Sequence, residues 1–312
     1  MSLDTLNQDV KSQIDDLLVK TRLSSLDIAK SDTEKKDSLL KNIAELISES
    51  RSMILSHNKK DLDSLDPNNF TDAFFDRLKL NDERIDQMIN NILEVIDLED
   101  PVRHSRFLYE RPNGLKVYKQ SIPLGVISII YESRPNVTSD AASLCLKSGN
   151  SVLLRGGSEC FNTNKILVDI IKKALSENNI EENSVNLVPF TDRDVMKYIL
   201  RKDEEIDLII PRGGEGLIRF VSENSSIPVI KHYKGVCHVY IDDDADLDIA
   251  EKVAINSKIQ RPGVCNAMET LIINRNLPEN FIRKLLDNFI SQGVLLYGEK
   301  ELASLYDSKK FK

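Results

Sequence analysis

Apolar residues in the first hundred positions recur at intervals of three and four. Ile43, Leu46, Ile47, Ile54 and Leu55 keep that spacing, and Ile85, Met88, Ile89, Ile92 and Ile96 repeat it, with polar residues between them. A period near 3.6 gathers such residues on one side of a helix, so this stretch predicts amphipathic helices whose apolar faces need a partner. The charged runs Asp32-Thr33-Glu34-Lys35-Lys36-Asp37 and Lys59-Lys60-Asp61 mix both signs and read as solvated helical faces. Next, Phe107-Leu108-Tyr109 and Leu115-Lys116-Val117-Tyr118 flank Asn113-Gly114, a pair that readily adopts the positive backbone angles of a tight reversal, and predict a hairpin. A lone two-stranded ribbon is marginal in water, so it needs its own domain or a neighbouring subunit to pack against.

From Pro123 the period changes. Short apolar runs at 126–130, 151–154, 185–188 and 206–210 alternate with helix-length segments that begin near Thr138, Asn162 and Asp192. Such alternation implies right-handed crossovers and a parallel sheet covered by helices on both faces. Ligands of these sheets bind at the carboxyl ends of the strands, which directs attention to the residues just after each run. Arg155-Gly156-Gly157-Ser158-Glu159 follows the second run, and Pro211-Arg212-Gly213-Gly214-Glu215-Gly216 follows the fourth. Glycines at a strand-to-helix turn let backbone amides approach a phosphate, with the helix dipole assisting, so both loops suit a nucleotide. The competing reading is glycine kept for turn geometry alone. Neither loop is a standard dinucleotide or Walker fingerprint.

With 312 residues, 41% hydrophobic content and no long apolar stretch, the chain has room for two domains and no membrane span. Its start lacks the basic and apolar segments of a secretory signal, and Cys145, Cys160, Cys237 and Cys265 show no disulfide or CxxC spacing. We expect a cytoplasmic protein. A formal charge of -8 argues against a nucleic-acid partner and requires any phosphate site to be locally basic. Asp242-Asp243-Asp244-Ala245-Asp246 resembles the start of a calcium loop, yet Leu247 and Val253 occupy the glycine and bidentate-glutamate positions. It reads as helix capping and first-turn acid, and no metal is expected.

Two side chains carry candidate chemistry. Cys265 stands on a loop, Gln260-Arg261-Pro262-Gly263-Val264-Cys265-Asn266, that enters the apolar run Leu271-Ile272-Ile273. A thiol beside a cation and an amide is placed like a nucleophile, although a half-buried structural cysteine fits the same local sequence. Asn136 follows Arg134-Pro135 at or just before a helix start, where an amide either caps the helix or donates to a developing oxyanion.

The blocks Tyr131-Glu132-Ser133-Arg134-Pro135-Asn136-Val137-Thr138, Leu153-Leu154-Arg155-Gly156-Gly157-Ser158-Glu159 and Gln260 to Thr270 around Cys265 resemble the gamma-glutamyl phosphate reductase family of the aldehyde dehydrogenase superfamily. The resemblance runs through nearly the whole chain. It implies an α/β, aldehyde dehydrogenase-like fold: a Rossmann-like parallel sheet plus a second α/β catalytic domain cut short at its C-terminal end. The implied parts are a helical portion of the cofactor domain at 1–106, an oligomerisation hairpin at 107–122, a dinucleotide-binding domain at 123–233 and an incomplete catalytic domain at 234–312.

The implied activity is NADPH-dependent reduction of L-glutamyl 5-phosphate, in proline biosynthesis, through a thioacyl enzyme on Cys265. Asn136 would hold the oxyanion, while Arg155, Gly156, Gly157, Ser158, Glu159, Gly213, Gly214 and Gly216 would hold NADPH or NADP. Arg155 is placed to meet a ribose 2'-phosphate. Arg134, Lys234 and Arg261 are the cations available for the substrate's phosphate and carboxylate. Hydrolytic relatives place a glutamate before a Gly-Gly pair to activate water, whereas His232-Tyr233-Lys234-Gly235-Val236-Cys237-His238 carries no carboxylate. Relatives also run past the equivalent of Lys312 and pair a last strand with the hairpin region. A homo-oligomer is therefore expected if that strand is supplied, and a truncated, inactive homologue that still binds nucleotide or a partner is the competing reading.

Overall fold

The computed structural model describes residues 6–231, 235–262 and 264–298. The chain forms two compact units, Met1–Lys231 and His232–Lys312. Among the described residues, no helix is long and apolar enough to cross a membrane.

The first unit begins with five helices: α1 (Gln8–Ile28), α2 (Thr33–Glu49), α3 (Arg51–Asp63), α4 (Asp72–Leu78) and α5 (Asp82–Asp97). Short polar side chains mark their starts. Asn7, Asp32, Thr71 and Asn81 each accept a backbone N–H that the first turn leaves unpaired, at α1, α2, α4 and α5. The periodic residues do what their spacing requires: Ile43, Ile47 and Ile54, with Ile85, Met88 and Ile92, are buried in one cluster.

The hairpin pairs β1 (Ser105–Glu110) with antiparallel β2 (Lys116–Gln120). Its turn is longer than the Asn-Gly pair predicts. Gly114 alone takes a positive φ, +83°, and the connection closes through Arg111, which accepts from Gly114 N–H and donates to the Leu115 carbonyl, each at 2.9 Å. A glycine in the left-handed region after a tighter turn is the three-residue alternative to a two-residue reversal. Phe107, Leu108, Tyr109 and Tyr118 are all about half exposed on this ribbon.

The sheet follows as β3 (Val126–Tyr131), α6 (Asn136–Lys147), β4 (Ser151–Arg155), α7 (Phe161–Glu177), β5 (Val185–Leu187), α8 (Arg193–Ile199), β6 (Leu208–Arg212) and α9 (Glu215–Asn224). Its order is β5-β4-β3-β6 and every pairing is parallel. All six residues of β3 are buried, as a strand covered on both faces demands. Alternate side chains serve opposite cores: Ile127, Ile129 and Tyr131 pack with residues of α2, α5, α6 and α7, whereas Val126 and Ile130 pack with those of α1, α8 and α9. The chain runs outward from β3 through β4 to β5, then returns to the other side of β3 as β6. The carboxyl ends of β3 and β6 therefore flank the switch point where a crevice opens.

The second unit pairs β7 (Cys237–Ile241) in parallel with β8 (Met268–Ile273) through α10 (Leu247–Ile259), and adds α11 (Glu279–Ser291). Ile241, Ala254, Met268, Leu285 and Phe289 lie in its core. Within the acidic run, Asp246 caps α10 by accepting from Asp248 and Ile249 N–H at 3.0 Å. Asp242 instead accepts from the Tyr240 hydroxyl and the Asn274 amide, both at 2.8 Å.

Entry into β3 depends on Gly125, at φ +122°. The Asp207 carboxylate accepts Val126 N–H at 2.8 Å and pairs with Arg22 in the space a β-carbon at Gly125 would take. Gly125→Ala is expected to destabilise the first unit by roughly 2–3 kcal/mol, from backbone strain plus the clash. Gly216→Ala, where the added methyl meets nothing within 4 Å, is expected to stay within about 0.5 kcal/mol. Denaturant midpoints of the two variants test the contrast.

Candidate active site

Tyr131 ends β3 with its ring buried, and its hydroxyl needs an internal partner. It bonds Thr138 Oγ1 at 2.7 Å; Thr138 donates to Asn164 Oδ1 at 2.9 Å, Asn164 Nδ2 donates to Cys160 Sγ at 3.2 Å, and the thiol donates to the Gly157 carbonyl at 3.4 Å. Because Thr138 spends its one proton on Asn164, Tyr131 is the donor at the head of the series. The bonds thus run one way, from β3 through α6 and α7 into the glycine turn. Burial raises the Tyr131 phenol above its ordinary range and pushes Cys160 up to about 12.

This packing explains Gly156. A β-carbon there would strike the Asn164 amide nitrogen and the Tyr131 ring, so close packing, and not a left-handed turn angle, accounts for this glycine. At Gly157 a β-carbon would lie 2.5 Å from Glu159 Oε2 and 2.7 Å from Ser133 Oγ, two atoms that hydrogen-bond each other at 2.8 Å.

A cavity of about 720 Å³ opens beside these turns. Of the residues expected at a nucleotide or substrate site, Arg134, Arg155, Gly157, Ser158, Glu159 and Gly216 line it. Arg77, Arg193, Phe74 and Phe220 join them without having been singled out in the sequence. Arg193 opens α8, directly after the turn that follows β5, where the strand-end rule points. Arg77 and Phe74 come from α4, and no spacing signals them. The Arg155 guanidinium is fixed by donation to the Thr191 carbonyl at 2.8 Å. Burial lowers its pKa, with Glu159 opposing and Arg193 adding to the shift. Four arginines against two glutamates, Glu132 and Glu159, leave this cavity locally basic in an acidic protein, as a phosphorylated ligand needs.

Gly213 and Gly214 do not line the cavity. Gly214 N–H, at the start of α9, donates to Glu132 Oε1 at 2.8 Å, and a β-carbon on Gly213 would sit 2.7 Å from that oxygen. A carboxylate of the protein thus engages an amide at a helix N-terminus that favours anions, so any phosphate bound by this loop would have to displace Glu132.

Asn136 is the first residue of α6, and its side chain does not cap the helix. Its Nδ2 donates to Asp140 Oδ2 at 3.0 Å, one turn along. The i to i+4 spacing on a helix makes that pairing available.

In the second unit, Cys265 sits between α10 and β8 on two consecutive turns, with Val264 N–H on Arg261 and Ala267 N–H on Val264, both at 3.2 Å. The Cys237 thiol donates to the Cys265 carbonyl at 3.4 Å, opposite an irregularity in the β7–β8 register. Ala267 and Met268 are buried and fix the exit of the loop, while Arg261, Cys265 and Asn266 are exposed. Of the cysteines, Cys265 is the exposed one; Cys145 and Cys160 are buried, and burial pushes Cys145 also to about 12. Lys234, with His232 and Tyr233, lies outside the described residues.

The aldehyde dehydrogenase family pattern matches residues 3–295. The gamma-glutamyl phosphate reductase of Desulfatibacillum aliphaticivorans is 48% identical over 295 residues, covering 94% of this chain and 71% of that protein. That of Thermodesulfovibrio yellowstonii is 43% identical over 97% of this chain and 72% of its own length. The crystal structure of gamma-glutamyl phosphate reductase from Thermotoga maritima superposes with a TM-score of 0.87 at 40% identity, covering 93% of this chain and 70% of that one. The chain spans about 70% of the length of these relatives. With that identity held over more than nine-tenths of its length, the chain belongs to the aldehyde dehydrogenase family, among its gamma-glutamyl phosphate reductases.

Proposed function

We propose that the protein reduces L-glutamyl 5-phosphate to L-glutamate 5-semialdehyde and phosphate with NADPH, as a step of proline biosynthesis. The observation that carries the reading is 48% identity to a gamma-glutamyl phosphate reductase over 94% of the chain. The arginine-lined cavity and the exposed Cys265 thiol suit the chemistry.

Cys265 Sγ attacks the acyl carbon, the carbon–oxygen bond to phosphate breaks, and a thioester remains on the enzyme. Capture on sulfur divides one difficult step into two easier ones. The Asn136 amide and the Cys265 N–H stabilise the oxyanion on either side of the thioester, at about 3 kcal/mol for such a donor. When bound, the nicotinamide cofactor supplies hydride to the thioester carbon. Collapse of the resulting tetrahedral centre returns the Cys265 thiolate and frees the aldehyde.

The cavity residues suit a phosphorylated dinucleotide, since arginines and the turn from Gly157 to Glu159 share the cavity wall. Arg155, Gly156, Gly157, Ser158 and Glu159 would hold it from one turn, and Gly213, Gly214 and Gly216 from the other. Arg155, fixed on Thr191, is assigned to the ribose 2'-phosphate. Arg134, Lys234 and Arg261 are assigned to the phosphate and carboxylate of the substrate. The hairpin, with its exposed aromatic residues, is assigned to subunit contact.

Supplying glutamate semialdehyde, phosphate and NADP is expected to generate NADPH with the intact chain and not with Cys265→Ala; a folded intact chain without turnover sinks the reading. Arg155→Ala is expected to lower the NADPH to NADH ratio of kcat/KM by at least about tenfold, the loss of one charge-assisted contact; an unchanged ratio removes Arg155 from that role. Cys265 is expected to alkylate first at pH 8, located by mass spectrometry. Cys145 and Cys160, held as thiols by burial, should react only after unfolding.

A further inference from the structure

An oxyanion donor must present N–H and not C=O, yet the two ends of an asparagine amide are nearly the same shape. Something must choose between them. Asn136 Nδ2 donates to Asp140 Oδ2 at 3.0 Å, and Asp140 Oδ1 accepts from Asn91 Nδ2 of α5 at 3.2 Å. Asn91 Oδ1 in turn accepts from Gln87 Nε2 at 2.7 Å. An ionised carboxylate only accepts, so it draws the nitrogen end of each amide toward itself. That fixes the Asn136 flip and leaves its second amide proton for another acceptor.

Resting on the role proposed above for Asn136, we propose that Asp140 is a positioning residue for the reaction: it orients the Asn136 amide so that an N–H faces the developing oxyanion. The arrangement is built into the packing of α5 against α6, not into a mobile loop. Asp140 is half-buried, with one amide on each carboxylate oxygen. Burial raises its pKa, and the two amides oppose that shift by favouring the ionised acceptor. At metal centres, an outer group that orients an inner one is worth a factor of about 10–100 in activity, and an oriented amide is expected on the same scale.

The test is a double-mutant cycle on the NADPH-forming reaction. Asp140→Asn preserves shape but offers Asn136 either end of an amide. It is expected to lower kcat about 10–100-fold with KM for all three substrates within about twofold. Asn136→Ala is expected to lose about 10²–10³-fold, and Asp140→Asn to cost nothing more in that background, because its effect passes through Asn136. Should Asp140→Asn not fold, Asn91→Ala frees the other carboxylate oxygen and is expected to lower kcat several-fold, again only while Asn136 is present. Losses that multiply, or an Asp140→Asn enzyme with normal kcat, overturn the assignment while leaving the role of Asn136 intact. Full turnover by Asn136→Ala, or a folded wild-type chain without turnover, removes the reading beneath it and the assignment together.

Discussion

The first unit is organised by a strand that is buried along its whole length. Every side chain of β3 is buried, so helices must cover both faces, and the alternation of Ile127, Ile129 and Tyr131 against Val126 and Ile130 decides which helices cover which. A strand so confined ends at a fixed point. The residues that follow it emerge from one rigid origin: Glu132 bonds to the α9 turn, Ser133 to the glycine turn after β4, and Asn136 opens α6. At β3's entrance, Gly125, Asp207 and Arg22 fix its start as tightly.

Beneath the cavity, Tyr131, Thr138, Asn164 and Cys160 bond in one direction and finish on the Gly157 carbonyl. A buried polar series of this kind specifies a single arrangement, because reversing any member leaves a group unpaired in low dielectric. It ties the glycine turn to β3 and both neighbouring helices. The turn's shape is therefore set by the core before any ligand arrives.

Much of this was legible from periodicity. Period-3.6 spacing located the helices of Ile43 and Ile85, and short apolar runs located the four strands, with β6 lying two residues later than its run predicts because Ile206 packs in the core ahead of the ladder. The strand-end rule found Arg155 and the Gly157 turn. What stayed hidden depends on contacts between distant segments. Arg77 reaches the cavity from α4, about eighty residues from Arg155 in sequence, and nothing local to it carries that signal. The reason for Gly156 lies in Asn164 and Tyr131, and the partner of Gly214 is Glu132 from another loop. Asp140 sat in plain view at i+4 from Asn136, but helical spacing shows only that two groups can meet, not that they do.

The bond from Gly214 to Glu132 also bears on selectivity. An anion that reaches this amide must first evict a carboxylate the protein supplies, so capture here is an exchange, and its free energy is a difference between two similar contacts. Small inorganic anions gain little from such a trade. A ligand with grips elsewhere on the arginine-lined wall gains those in addition and alone comes out ahead. Among many competing phosphates, an internal competitor discounts every rival equally and so works as a filter.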